Sequence, residues 1–254
     1  KYASRVPVGR LRLGFSDKTV LDTLSWMQAG NKSLKPLLEK AYQVLPDVGL
    51  LAREVKEKGV EKACKNVVPV VGIPVLPMLS QRIKSPTEMV EKMGEVDVEP
   101  KLDGLRIQLH YGPTSPRLRG TRAFTRNLNE CSWMFPELKE VEKFLNCDSV
   151  ILDCEAVGLD EKTKLMANFQ TTMTRRRKHD IGETSKKVGI DFFAFDILLK
   201  DGKSLMDKNY LERRKILEET VKVGGPFKLV FHEITKSPER INELYKKIIS
   251  EGYE

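Results

Sequence analysis

Apolar residues recur three and four apart over the first sixty or so positions and then change to short alternating or continuous runs. Val20, Leu21, Leu24 and Met27 follow Ser16, a suitable N-cap, and Gly30 closes the stretch. Ser33 precedes a second such pattern (Leu34, Leu37, Leu38, Ala41, Leu45), and Asp47 a third (Leu50, Leu51, Val55) that stops at Gly59. These spacings predict helices, and no strand signal appears before about Val67. The segment 67–77 then carries prolines at 69, 74 and 77, which enforce an extended path and mark a domain boundary. Beyond it the two periods mix. Pro136 suits the first turn of a helix through Leu138, Val141 and Leu145. Residues 150–157 and 191–199 read as strands, and 210–221 and 237–250 as helices around a short strand at 229–231. The expected class is α+β, an all-α segment (1–68) followed by a mixed domain (69–254).

Composition narrows the class. At 254 residues, with 40% hydrophobic and 31% charged positions, the chain is long enough for one large domain or two modest ones and reads as globular. No stretch has the length of a transmembrane span, and no apolar run follows the basic start as in a signal peptide. The four cysteines (Cys64, Cys131, Cys147, Cys154) form no CxxC pair and lie far from the few histidines, which points away from zinc and disulfides and toward a reducing compartment. The formal charge of +8 suits a polyanionic partner. Arg5, Arg10 and Arg12 form one basic group and Arg175-Arg176-Arg177-Lys178 another, either of which would as readily be a solvated face. Both ends of the sequence are abrupt, which suggests a fragment of a longer protein.

The chemistry centres on Glu99-Pro100-Lys101-Leu102-Asp103-Gly104-Leu105-Arg106. Alternating apolar runs flank it (Val96, Val98; Ile107, Leu109, Tyr111), so the lysine is expected at a strand-to-strand junction with Asp-Gly supplying the turn. Arg106 gives it a cationic setting that favours a neutral, nucleophilic amine. A surface lysine beside a hairpin turn would carry the same residues. The octapeptide resembles the Lys-x-Asp-Gly-x-Arg nucleotidyl-attachment motif of the covalent nucleotidyltransferases, which include DNA ligases, RNA ligases and mRNA capping enzymes. Downstream, Phe124-Thr125-Arg126-Asn127 resembles their Phe-Ser-Arg-Asn element and 151–157 (Ile-Leu-Asp-Cys-Glu-Ala-Val) their Leu-Asp-Gly-Glu element. Phe193-Ala194-Phe195-Asp196-Ile197-Leu198 with Asp201-Gly202 resembles Tyr-Ala-Phe-Asp-Leu…Asn-Gly, and Glu251-Gly252-Tyr253-Glu254 the opening of Glu-Gly-Tyr-Glu-Gly. Residues 8–21 resemble the end of a ligase DNA-binding domain and 72–79 the start of an adenylation domain. The elements stand in family order, and the resemblance to ATP-dependent DNA ligases of the archaeal and eukaryotic replicative type covers the chain.

That resemblance implies a nucleotidyltransferase fold of antiparallel sheets flanked by helices, lacking here its C-terminal part and the OB-fold domain. It implies sealing of 5′-phosphate/3′-hydroxyl nicks in duplex DNA during replication, repair and recombination, with ATP and Mg²⁺. Lys101 would be the nucleophile. Glu99, Lys101, Arg106, Arg126, Glu155 and Phe195 would bind ATP, with Glu99 at the adenine amino group and Phe195 stacked on the base. Glu155 and Glu251 would hold the metal, and Arg10, Arg12, Arg175, Arg176, Arg177 and Lys178 would contact DNA phosphates. Expected partners are nicked double-stranded DNA and a sliding clamp, with no membrane and a monomeric state, in the cytoplasm or, for a eukaryote, the nucleus. The competing readings are an NAD-dependent ligase, which resembles the octapeptide but places alanine at Arg106, a capping-type enzyme, which would lack the helical prefix, and a non-catalytic DNA-binding fragment. A chain without the remaining domains is expected to seal nicks poorly by itself.

Overall fold

A computed structural model describes residue 14 and residues 16–65, 67–115, 118–159, 166, 170, 172 and 189–253. The chain divides into two compact units at Pro69/Val70. In the first, α1 (Asp17–Ala29), α2 (Lys35–Val44), α3 (Val48–Lys58) and the short α4 (Val60–Cys64) follow the helical periodicity. Their apolar stripes meet in a core of Leu21, Leu24, Leu38, Ala41, Leu51, Val55 and Val60. Asp47 caps α3 through the Leu50 N–H at 2.8 Å, and Gly30, at φ 67°, ends α1 in the left-handed conformation. The expected cap Ser33 does not cap α2. Ser25 on α1 takes the Leu34 N–H at 3.1 Å and donates to the Asn31 carbonyl at 2.8 Å, so the turn is held by α1 and the helix starts at Lys35.

The second unit is built on a sheet in the order β3 (Leu118–Thr125), β2 (Leu105–Ser115), β4 (Val150–Leu159), β5 (Gly189–Lys200) and β6 (Lys203–Ser204), all antiparallel, with β7 (Phe227–Leu229) parallel to β5. One face carries Ile107, Leu109, Leu152, Cys154, Ala156, Phe192, Ala194 and Ile197. It is covered by Phe135, Leu138, Val141 and α6 (Tyr210–Thr220) through Leu217. Residues 136–144, expected as an α-helix, form a 3₁₀ helix. Leu138, Val141 and Phe144 recur every third position, which is the period of that helix, and all three pack on the sheet. A second, two-stranded sheet pairs β1 (Val96–Val98) with β8 (Glu233–Thr235), accompanied by α5 (Pro86–Met93) and α7 (Pro238–Ser250). The strand expected at 229–231 overlaps β7 at Leu229 only, and a second short strand, β8, follows at 233–235.

β5 departs from regular pairing at the aromatic cluster. Cys154 pairs with Ala194 but Asp153 pairs with Asp196, so Phe195 is the extra residue of a bulge. Phe195 and Asp196 consequently both lie off the core face, while Phe192 is fully buried and stacks against Phe227 at 5.2 Å.

The other face of the main sheet carries buried polar groups, Gln108 and His110 on β2 and Asp153 on β4. The proline-rich segment lies over the first two. The Val75 N–H donates to Gln108 Oε1 at 2.7 Å and Gln108 Nε2 to the Val75 carbonyl at 3.3 Å. The Gly72 N–H donates to His110 Nδ1 at 3.0 Å, so the ring proton is on Nε2, which reaches Gln108 Oε1 at 3.0 Å. Burial, reinforced by Arg122, holds this imidazole near a pKa of about 3. Since the unfolded chain binds the proton first, the stability due to neutral His110 is complete above about pH 6.5 and lost as pH falls toward 3. The expected slope is about 1.4 kcal/mol per pH unit. Urea unfolding from pH 7 to 5 should show that component, and His110→Gln should remove it while the carboxylate contributions remain.

Candidate active site

Lys101 lies in the loop 99–104 between β1 and β2. It is a strand-to-strand junction, but the strands belong to different sheets, so the loop bridges two layers instead of closing a hairpin. Gly104 is not in a left-handed turn conformation. Its need is close approach: a Cβ there would stand 2.5 Å from the Ala156 carbonyl oxygen and 3.0 Å from Glu155 Cγ.

The loop forms one wall of a cavity of about 360 Å³ whose lining includes Glu99, Lys101, Asp103, Arg106, Glu155 and Phe195, together with Val230. Strand register gathers these groups. Arg106 on β2 pairs with Glu155 on β4, and Glu155 with Phe193 on β5. Arg106 donates to Asp153 Oδ2 at 2.8 Å, and its guanidinium carbon lies 5.4 Å from the centre of the Phe195 ring. Burial pushes the Asp153 carboxyl up, opposed by Arg106. Burial likewise lifts Glu155 to about 7, opposed by Arg106, the Gly104 N–H and Lys101. Glu155 is therefore a largely desolvated carboxyl on the cavity wall with cations around it. Glu99 accepts the Tyr210 hydroxyl at 2.7 Å and Arg214 Nη1 at 3.3 Å.

Other expected site residues fall elsewhere. Arg126, exposed in the turn after β3, lines a small recess with Pro74, Val75, Pro77, Gln108 and Asp153, and only Arg106 is common to recess and cavity. Glu251 follows α7, 3.9 Å from Lys247, and is not on the cavity wall. Arg10, Arg12, Arg175, Arg176, Arg177 and Lys178 lie outside the described residues. Among the described residues no group of three or more His, Cys, Asp and Glu side chains is placed to hold a metal ion. The donor set instead suits a hard cation held by one carboxylate, Glu155, together with phosphate oxygens. A larger cavity of about 720 Å³ lies between β3 and the 3₁₀ helices, with Trp133, Lys139 and Glu142 on its lining. The carboxylates and cations of the octapeptide converge on the smaller one.

Asp153, Asp196, Tyr210, Arg213 and Arg214 were not among the expected residues. Asp153 had a signal, a second acid in an apolar strand, whose burial requires a partner. Arg213, which grips Asp196 at 2.8 and 3.0 Å, and Arg214 had only their place on a helix beside other charges.

No helix among the described residues is long and apolar enough to cross a membrane. The family described as "ATP dependent DNA ligase domain" matches residues 77–254. A "Probable DNA ligase" of Dictyoglomus thermophilum is 36% identical over 256 residues, covering 100% of this chain and 43% of that protein. A "DNA ligase" of Sulfurisphaera tokodaii is 36% identical over 256 residues, covering 100% and 42%. A solved structure of "mycobacterial DNA ligase D complexed with ATP and MES" aligns with 63% of this chain and 46% of its own at 22% identity and a TM-score of 0.45. The chain thus spans less than half the length of these curated relatives. With residues 77–254 matched, a span that contains the Lys101 loop and the cavity it lines, the chain belongs to the ATP-dependent DNA ligase domain family.

Proposed function

We propose that this chain carries the nucleotidyl-transfer centre of an ATP-dependent DNA ligase that seals 5′-phosphate/3′-hydroxyl nicks in duplex DNA. The observation that carries the reading is Lys101 on the wall of a cavity shared with Glu99, Arg106, Glu155 and Phe195. The neutral Lys101 amine attacks the α-phosphorus of ATP. An N–P bond forms, the bond to the bridging oxygen of pyrophosphate breaks, and the amine proton passes to solvent, leaving lysyl-AMP. AMP then moves to the 5′-phosphate of the nick, restoring Lys101, and attack by the 3′-hydroxyl closes the strand and expels AMP.

Phe195 offers a face for the adenine, and Arg106, anchored by Asp153, presents its remaining donors to phosphate or ribose oxygens. Glu155 would hold Mg²⁺, which neutralises phosphate charge during transfer. Arg126 would reach phosphates from the adjoining recess. We assign DNA contacts to the two arginine groups, Arg10 and Arg12 and 175–178, and place the enzyme inside the cell in replication, repair and recombination as a monomer, with a sliding clamp as a further partner. Incubation with α-labelled ATP and Mg²⁺ followed by intact-mass measurement tests the reading: one AMP should be gained per chain, and no gain under any nucleotide would refute it.

Glu155 gives this site an opposed pair of expected effects. Its carboxyl is raised to about 7, so the folded state is penalised as pH rises from 4.5 through 7. Glu155→Gln should therefore stabilise the chain at pH 8 by about 1–3 kcal/mol, discounted for partial exposure. It should also remove the Mg²⁺-dependent part of ATP affinity, roughly tenfold or more. Thermal unfolding at pH 5 and 8 and nucleotide titration with and without Mg²⁺ measure both.

A further inference from the structure

Helix α6 lies beside β5 and sends two residues, one helical turn apart, to Glu99 at the start of the lysine loop. Tyr210 donates its hydroxyl to Glu99 Oε1 at 2.7 Å. Arg214, 4% exposed at its side chain, donates Nη1 to the same oxygen at 3.3 Å, Nη2 to the Val230 carbonyl at 2.6 Å and Nε to Glu218 Oε1 at 2.9 Å. Glu218 in turn meets His232 Nε2 at 3.1 Å, and His232 Nδ1 lies 2.9 Å from Asp97, two residues before Glu99. One buried guanidinium therefore ties together two separate walls of the cavity, Glu99 and Val230. The neighbouring Arg213 holds Asp196, and with it the bulge that presents Phe195.

We propose that Arg214 and Tyr210 are positioning residues that orient and hold ionised the Glu99 carboxylate, and that they thereby set a preference for a 6-amino over a 6-oxo purine. This rests on the reading of the cavity as the ATP site. Both donors share Oε1, which leaves Oε2 to accept from a group entering the cavity. An ionised carboxylate accepts and never donates, so an exocyclic amino group satisfies it and a carbonyl oxygen repels it. A carboxylate oxygen in a partly buried cavity left without a donor costs more than a missing contact in water, which is how such a site discriminates. Burial pushes the Glu99 carboxyl up and the Asp97 charge adds to that, while Tyr210, Arg214 and His232 oppose them. Removing either donor therefore raises the pH at which the carboxylate is lost.

The test is equilibrium titration of the chain with ATP and with ITP between pH 6 and 8.5. The unmodified chain should prefer ATP. Tyr210→Phe keeps the ring and removes only the hydroxyl. It should weaken ATP binding roughly tenfold, affect ITP less, and shift the acid limb of the ATP profile to higher pH. Arg214→Met should do the same more strongly; if it does not fold, Tyr210→Phe decides. Leu211→Ala, an exposed change on the same helix, should move neither the ATP-to-ITP ratio nor the pH profile. ATP binding with an unaltered ratio and profile in Tyr210→Phe would overturn the positioning role and leave the cavity assignment standing. Failure of the unmodified chain to bind ATP would overturn the cavity assignment itself.

Discussion

Lys101→Ala should abolish the AMP adduct, lowering its rate of formation by on the order of 10³-fold or more, while the protein remains folded and still binds ATP. The substitution removes the proposed attacking atom from the surface of the loop. The side chain is exposed, and surface changes of that kind ordinarily alter stability by about 0.5 kcal/mol or less. Lys101→Arg should be equally inactive, because a guanidinium stays protonated and offers no free electron pair. Intact mass, unfolding temperature and ATP affinity measured on the same samples separate loss of the nucleophile from loss of the site. An adduct that persists in Lys101→Ala would place the nucleophile elsewhere.

Gly104→Ala is expected to damage fold and chemistry together. The added methyl would lie 2.5 Å from the Ala156 carbonyl oxygen and 3.0 Å from Val157 Cγ2. That oxygen belongs to β4, which is paired on both sides by β2 and β5 and cannot retreat. The loop must move instead. Overpacking of this kind costs about 1–3 kcal/mol, and displacing Lys101 by about 1 Å costs roughly 10²-fold in the transfer rate. The loop's displacement also removes the Gly104 N–H from Glu155. Urea unfolding and single-turnover adenylation measure the two effects, and an unchanged rate would show that the loop tolerates the shift.

What could be read in advance follows the range of the forces involved. The cap at Asp47 and the stop at Gly30 depend on residues within a turn of each other, and both are present. The lysine, its arginine and Glu155 could be named because they occupy matching places in a recurring motif. The pairing of β1 with β8 had no local signal, since Val96 and Thr235 stand far apart in the sequence and meet only through the fold. For the same reason Glu99 could be named but not its anchors, which lie more than a hundred positions away on α6. Ser33 failed as a cap because a side chain on the preceding helix took the neighbouring amide. Residues 136–144 carry a three-residue apolar period beside a 3.6-residue one, and the structure holds the tighter helix, with Leu138, Val141 and Phe144 packed on the sheet.

The bulge at Phe195 makes that ring a guest in its strand. Ala194 and Ile197 point into the core from either side of it, and excising Phe195 alone would bring Asp196 next to Ala194 and leave both core residues in phase. The ladder to β4 would become regular there. The backbone architecture therefore does not require the aromatic. A lineage could gain or shed the ring by one codon at this place without rebuilding the sheet, so the aromatic lining of the cavity and the folding of the strand are separately evolvable here.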